Sequence, residues 1–151
     1  MTSTIPDEIR REVMLPASIE RAWNAITEPA EVNKWFGDRC VYELREGATG
    51  VMQWGEHAFR MVVVTVDPPR RFAYRWVTPR DDNHAIPFEE MPTTLVEFTL
   101  ESVAGGTRLT LVESGFASHP EKERDSNYAD NSQGWTDELA ELQAWLNAEG
   151  L

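Results

Sequence analysis

The chain of 151 residues is poor in cysteine, in basic side chains and in long apolar runs. Its single cysteine, Cys40, cannot form an internal disulfide, which fits a reducing compartment. Fourteen basic residues against 26 acidic ones leave a net charge of −12, which argues against the clustered basic surface of a nucleic-acid binder. No apolar run is long enough to span a membrane, and residues 1–12 lack the apolar stretch of a secretory signal. We therefore expect a cytoplasmic protein that binds neither nucleic acid nor membrane.

Common enzymatic motifs are also missing. The sequence contains no glycine-rich phosphate loop, no HExxH zinc motif and no GxSxG nucleophile elbow. The three histidines, His57, His84 and His119, are separated by 27 and 35 residues, and no cysteine pair accompanies them. We therefore expect no metal site and no cofactor.

Aromatic side chains, in contrast, are plentiful, with six Trp, six Phe and three Tyr. Such side chains bury large apolar areas, and they also line many ligand pockets. A single aromatic residue is more often part of the core than a ligand contact, so its position in the fold must decide. Cys40 is likewise expected to be a small buried apolar residue rather than a nucleophile.

The first third of the chain predicts one strand and two short helices. Ile9 and residues 12–15 form the strand, and Ser18 is a candidate N-cap for the first helix. Glu28-Pro29 ends that helix and starts the second, because proline is tolerated at the first helical position.

Between residues 39 and 115 the apolar period changes from 3.6 toward 2, which predicts a meander of about six antiparallel strands. Gly105-Gly106 is a hairpin signal within it. Residues 61–66 show no clean alternation, which indicates either a strand covered on both faces or a β-bulge.

Helical spacing returns at the end of the chain, where Trp135, Leu139 and Leu142 begin an apolar stripe. The predicted sheet has one apolar face to cover, and this helix is the only element long enough to cover it. The fold class is therefore α+β. We expect a helix-grip fold, with a curved antiparallel sheet of about six or seven strands wrapped on a long C-terminal helix. One domain is expected over residues 1–151, with residues 1–6 as a flexible tail.

Four segments carry a resemblance to a known family: ASIERAWNAITEPAEVNKWF (17–36), VDPPRRFAYRW (66–76), GGTRLTLVESGF (105–116) and GWTDELAELQAWL (134–146). They are similar to the START-like superfamily, over roughly residues 8–148. Within it they resemble the bacterial branch related to the C-terminal domain of the activator of the heat-shock-protein-90 ATPase. The resemblance implies a cavity between the helix and the sheet that takes apolar small molecules, and a link to the stress response. Members of the superfamily include lipid and hormone carriers and polyketide cyclases, so fold does not settle function.

Strand parity gives the predicted ligand contacts. The side chains that should face the helix are Met52, Trp54, Phe72, Tyr74, Trp76, Val96, Phe98, Leu109 and Leu111. Trp135 and Leu139 on the helix should face the sheet in return. Phe88 and Met91, in the loop 79–94, are expected to fold over the pocket mouth as a lid.

Two places are candidates for chemistry. In the loop 79–94, Asp81 or Asp82 could orient His84 as a general base, although a polar surface loop is the favoured interpretation. Glu113 continues the inward parity of Leu111, so it is either a polar anchor for a ligand or the solvated end of a strand. The cost of burying a carboxylate in an apolar cavity favours the strand end.

Three functional hypotheses follow. The leading one is a non-catalytic protein that binds an apolar, aromatic or polycyclic small molecule. The second is a chaperone-linked regulator that binds a heat-shock-protein-90 homologue, suggested by the resemblance and by the acidity of residues 120–149. The third is a cyclase-like or dehydratase-like enzyme that uses His84 with Asp81 or Asp82, or Glu113. The sequence does not indicate an oligomeric state.

Overall fold

The computed structural model describes residues 7–149, so the expected tail at residues 1–6 lies outside the described part. The first elements are strand β1 (Glu8–Leu15) and helices α1 (Ile19–Thr27) and α2 (Pro29–Val32). Six strands follow: β2 (Arg39–Val41), β3 (Thr49–Trp54), β4 (His57–Asp67), β5 (Arg71–Val77), β6 (Thr93–Val103) and β7 (Gly106–Ser114). Helix α3 (Glu121–Glu149) ends the described chain.

The seven strands form one antiparallel sheet in the order β1-β7-β6-β5-β4-β3-β2. This confirms the predicted α+β helix-grip class, with two short helices after the first strand. The register of β4 against β5 shifts between Val63 and Thr65, which identifies the irregular stretch at 61–66 as a β-bulge.

The two short helices begin and end as their sequence predicts. The Ser18 side chain accepts a hydrogen bond from the Arg21 backbone N–H, which caps the first turn of α1. Pro29 occupies the first turn of α2, where its missing N–H costs no helical hydrogen bond.

Helix α3 lies along one side of the sheet. The Arg11 guanidinium of β1 donates to Ser132 Oγ at 2.6 Å, and the Gln143 amide donates to the Met14 carbonyl of the same strand at 2.9 Å. Among the strands, β1 is the one that α3 approaches most extensively. Because the helix is held toward β1, space remains between it and strands β3–β5.

The core fills the rest of the region between the sheet and the helices. Phe72 and Tyr74 of β5, Leu111 of β7 and Leu139 of α3 are each at most 2% exposed. Cys40 is also buried, and its thiol contacts the Phe36 carbonyl. In the described part of the chain, no helix is both long and apolar enough to cross a lipid bilayer.

Candidate functional site

A cavity of about 220 Å³ lies between α3 and strands β3–β5. Five aromatic side chains, which we call the aromatic wall, line it: Phe36, Trp54, Phe59, Trp76 and Trp135. Neighbouring rings of the wall have their centroids 4.9 to 6.4 Å apart. At these separations the rings contact one another, so the wall is a nearly continuous apolar surface.

The rest of the lining is more polar. His57, Val77, Thr78 and Pro79 contribute from the ends of β4 and β5, and Asp130, Asn131, Gly134 and Glu138 contribute from α3. Gly134 is in the middle of the helix, and a Cβ atom added there would have no neighbour within 4 Å. The missing side chain therefore leaves part of the cavity open.

Glu113, on β7, lies behind the aromatic wall and is fully buried. Its Oε1 accepts the indole N–H of Trp135 at 2.8 Å, and its Oε2 accepts the indole N–H of Trp76 at 3.0 Å. The Asn131 amide and the Thr94 hydroxyl donate to the same carboxyl group. The favoured prediction, a solvated strand end, is therefore wrong. Donors from β5, β6 and α3 together replace the water that this group would otherwise bind.

The environment of Glu113 shifts its pKa upward. Burial raises the pKa of Glu113, and the four hydrogen-bond donors only partly offset this effect, so the pKa remains above its ordinary value. Among the side chains that the structure describes, no Lys or Arg forms an ion pair with it. Since the polar edges of Trp76 and Trp135 are directed at Glu113, the carbon surfaces of these two rings are left to line the cavity.

A second acid, Glu138, lines the cavity directly and is half-buried. Burial raises the pKa of Glu138, and the nearby Glu141 carboxylate acts in the same direction. The Trp54 indole N–H and the Gly37 backbone N–H act on Glu138 as neutral donors and lower its pKa, though by less than burial raises it. The three tryptophans of the wall thus direct their N–H groups at two acids.

The fourteen predicted ligand contacts divide into four groups. Trp54, Trp76 and Trp135 line the cavity. Eight others are buried in the core and absent from the lining: Met52, Phe72, Tyr74, Val96, Phe98, Leu109, Leu111 and Leu139. Glu113 lies behind the wall. Phe88 and Met91 are half-buried in their loop and are not among the cavity-lining residues, so the expected lid is not seen.

Sequence reasoning missed Phe36, Phe59, Asn131, Gly134 and Glu138. Phe36 lies between α2 and β2, outside the strands whose parity gave the predicted contacts, and Phe59 lies in the strand whose alternation is broken. On α3, Asn131 and Glu138 are four residues before and three residues after Trp135, which is the spacing of one helix face. The apolar pattern does not reveal this face, because Asn131 and Glu138 on either side of Trp135 are polar.

The loop 79–94 is fastened to β4 by an ion pair. The Arg60 guanidinium donates to both oxygens of Asp81, at 2.8 and 2.9 Å, and the Arg60 backbone N–H donates to Oδ2. Burial alone would raise the pKa of Asp81, but the hydrogen bonds from Arg60 outweigh it and lower the pKa. His84 Nε2 lies 3.3 Å from Asp81 Oδ2 and 3.0 Å from the Ala58 carbonyl. Asp81 and His84 are therefore brought together, but neither lines the cavity.

The three histidines have different surroundings. His57 is at the cavity rim, and His84 belongs to the loop. His119 is buried, with Nε2 bonded to the Thr93 carbonyl and Nδ1 to the Asn127 amide. Within residues 7–149, no group of three or more His, Cys, Asp or Glu side chains is arranged to hold a metal ion.

A protein-family model matches most of the chain. The family described as "Activator of Hsp90 ATPase homolog 1-like protein" matches residues 16–147. Comparison with curated protein sequences finds no match.

Solved structures share the fold over nearly the whole chain. DynU16, from the dynemicin biosynthetic locus, is 28% identical to this chain with a TM-score of 0.74. The match covers 95% of this chain and 48% of DynU16, so this chain spans about half the length of DynU16. Protein MLL2253 from Mesorhizobium loti is 20% identical with a TM-score of 0.77, covering 93% of this chain and 97% of the other. The Aha1 dimer from Colwellia psychrerythraea is 19% identical with a TM-score of 0.72, covering 92% and 95%. At the last two identities the likeness concerns the fold alone.

Proposed function

The chain belongs to the activator of Hsp90 ATPase homolog 1-like family, and from that premise we propose that it binds an apolar aromatic small molecule without transforming it. The observation that carries the proposal is the aromatic wall, in which the N–H groups of Trp76 and Trp135 are hydrogen-bonded to Glu113 and the N–H of Trp54 acts on Glu138. An aromatic surface with its polar atoms already satisfied is suited to hold an apolar guest.

The cavity volume limits the size of that guest. An apolar cavity of about 150 Å³ holds benzene, whereas drug-sized ligands occupy about 300 to 1,000 Å³. The cavity here, at about 220 Å³, lies between these cases. It therefore fits one or two aromatic rings, and a larger polycyclic ligand would extend out of the mouth.

The hydrogen bonds of the acids support binding rather than catalysis. Glu113 accepts from four side chains, so its oxygens are occupied by the wall that it supports. The Asp81 carboxylate is similarly occupied by Arg60, outside the cavity. A general base must be within hydrogen-bond reach of a substrate, and neither group lines the space where the substrate would be.

DynU16, which shares the fold, comes from the dynemicin biosynthetic locus. The family and the fold it shares with this chain support a ligand-binding domain, and the aromatic wall supports an aromatic ligand.

Isothermal titration with neutral one-ring and two-ring aromatic compounds tests the proposal. We expect micromolar binding of 1-naphthylmethanol to the unaltered protein. Gly134→Leu should abolish it, because the new side chain would extend into the open space beside α3. Ala140→Leu, at an exposed position of the same helix, is the matched control and should bind normally. Absence of binding throughout the panel, or binding that Gly134→Leu leaves intact, would contradict the proposed function.

A second candidate function rests on the family description and on the chain's acidity. A net charge of −12 suits association with a basic surface, such as one on a heat-shock-protein-90 homologue. Titration against the purified chaperone at low and high salt tests this candidate. Binding that weakens with salt supports it, and no binding at low salt, where charge attraction is strongest, rejects it.

A further inference from the structure

In the described cavity lining, acidic side chains outnumber basic ones, and His57 is the one imidazole. Two carboxylates, those of Glu138 and Asp130, are among its lining groups. The described residues that line it include no Lys or Arg. An anionic guest would therefore meet two acidic side chains and no lysine or arginine, whereas a cationic guest would meet opposite charge at Glu138 and Asp130.

The aromatic wall attracts cations as well. Aromatic rings carry negative potential on their faces, and a cation within about 6 Å of a ring centroid is attracted to that face, most strongly to Trp. Trp76 and Trp135 donate their N–H groups to Glu113, behind the wall. Their ring surfaces are thus available to a guest, together with those of Phe36 and Phe59.

In the part of the chain that the structure describes, the groups that act on Glu138 are neutral or acidic. The N–H groups of Trp54 and Gly37 are neutral donors, and the carboxylates of Glu141 and Asp137 carry like charge. No Lys or Arg among the described side chains forms an ion pair with it. Because a half-buried carboxylate gains most from a partner of opposite charge, a ligand cation would complete this site.

We propose that the cavity selects a protonated amine carried on an aromatic body, with the ring against the aromatic wall and the ammonium group at Glu138. This inference rests on the proposed function, since it names the class of ligand for the same cavity. The ammonium N–H groups would donate to the Glu138 carboxylate, and Asp130 at the rim would add to the attraction.

Three compounds on one ring system test the charge preference. We would titrate 1-naphthylmethylamine, 1-naphthylmethanol and 1-naphthoate, which are cationic, neutral and anionic near neutral pH. The amine should bind about tenfold more tightly than the alcohol, and the carboxylate should bind more weakly than both. The affinity of the amine should fall as salt is raised, while that of the alcohol should hardly change.

A matched pair of variants locates the effect. Glu138→Gln keeps the size of the side chain and an oxygen for the Trp54 N–H, but removes the charge. It should weaken amine binding about tenfold and alcohol binding less than twofold. Glu123→Gln makes the same charge change at an exposed position in the first turn of α3, outside the cavity lining, and should leave both affinities unchanged.

The outcomes distinguish this inference from the proposed function. If the alcohol binds as tightly as the amine, or if Glu138→Gln weakens both equally, the preference for a cation is wrong although the cavity still binds aromatic molecules. If none of the three compounds binds in a manner that Gly134→Leu abolishes, the proposed function fails, and the preference fails with it.

Discussion

The indole of Trp135 on α3 donates its N–H to Glu113 on β7 at 2.8 Å, so one buried hydrogen bond joins the long helix to the interior of the sheet. Glu113 also accepts from Trp76 on β5. Two rings of the aromatic wall therefore share one anchor, and any change in that anchor affects both rings.

The first prediction concerns the pH dependence of this anchor. Because burial raises the pKa of Glu113 above its ordinary value of 4.5, the native state holds the proton more tightly than the unfolded state does. The contribution of the Glu113 carboxyl to the free energy of unfolding is fully present below that ordinary value. It is lost as the pH rises through the pKa of Glu113 in the native state. The stability of the unaltered protein relative to Glu113→Gln should therefore decrease as the pH is raised above that ordinary value.

Urea denaturation of both proteins at increasing pH measures the difference. Glu141→Gln, at an exposed site, controls for the change in net charge and should show no comparable trend. A relative stability that instead increases with pH would mean that the four donors hold Glu113 ionised.

Gly134 leads to the second prediction. A glycine inside a helix is about 1 kcal/mol less favourable than alanine, and a Cβ at this position meets no atom within 4 Å. Gly134→Ala should therefore raise the free energy of unfolding by about 1 kcal/mol. The reverse change at an exposed site of the same helix, Ala140→Gly, should lower it by a similar amount. Loss of stability in Gly134→Ala would show that the space beside α3 is not open.

The third prediction concerns the ion pair that fastens the loop 79–94. Asp81→Asn removes the charge that pairs with Arg60 and should cost about 2 kcal/mol. Backbone amides of residues 82–91 should then exchange with solvent deuterium faster than in the unaltered protein. Asp82→Asn, at an exposed neighbouring position, should leave exchange unchanged. Equal exchange in the two variants would mean that the loop is held by other contacts.

Cys40 provides the fourth prediction. Burial raises the pKa of its thiol from 9.0 to about 12, so at pH 8 only about one thiol in ten thousand is ionised. The native protein should react with Ellman's reagent only as fast as it unfolds, and the protein in guanidinium should react at once. Rapid labelling of the native protein would show that the thiol is accessible.

The sheet and its inward side chains were predictable because a strand alternates with a strict period of two. Phe72, Tyr74 and Trp76 on β5 are all buried, as their alternation predicts. Parity cannot tell a core position from a cavity position on the same face, since that depends on where α3 lies. The helix is held toward β1, so Trp76 lines the cavity whereas Phe72 is in the core.

The acids show a different limit of sequence reasoning. Parity places Glu113 on the inner face correctly, but the general cost of burying a carboxylate argues for a solvated position. The four donors that reverse this cost come from Trp76, Thr94, Asn131 and Trp135, on three separate elements. No local pattern in the sequence shows that they converge.

The fastening of the loop by Arg60 and Asp81 has a kinetic consequence. A mouth whose neighbouring loop is held in place needs no opening step before a guest enters, so association should occur in a single phase whose rate is proportional to guest concentration. Differences in affinity between guests would then arise mainly from differences in their dissociation rates. Stopped-flow mixing would show this directly, as one exponential with no plateau in rate at high guest concentration.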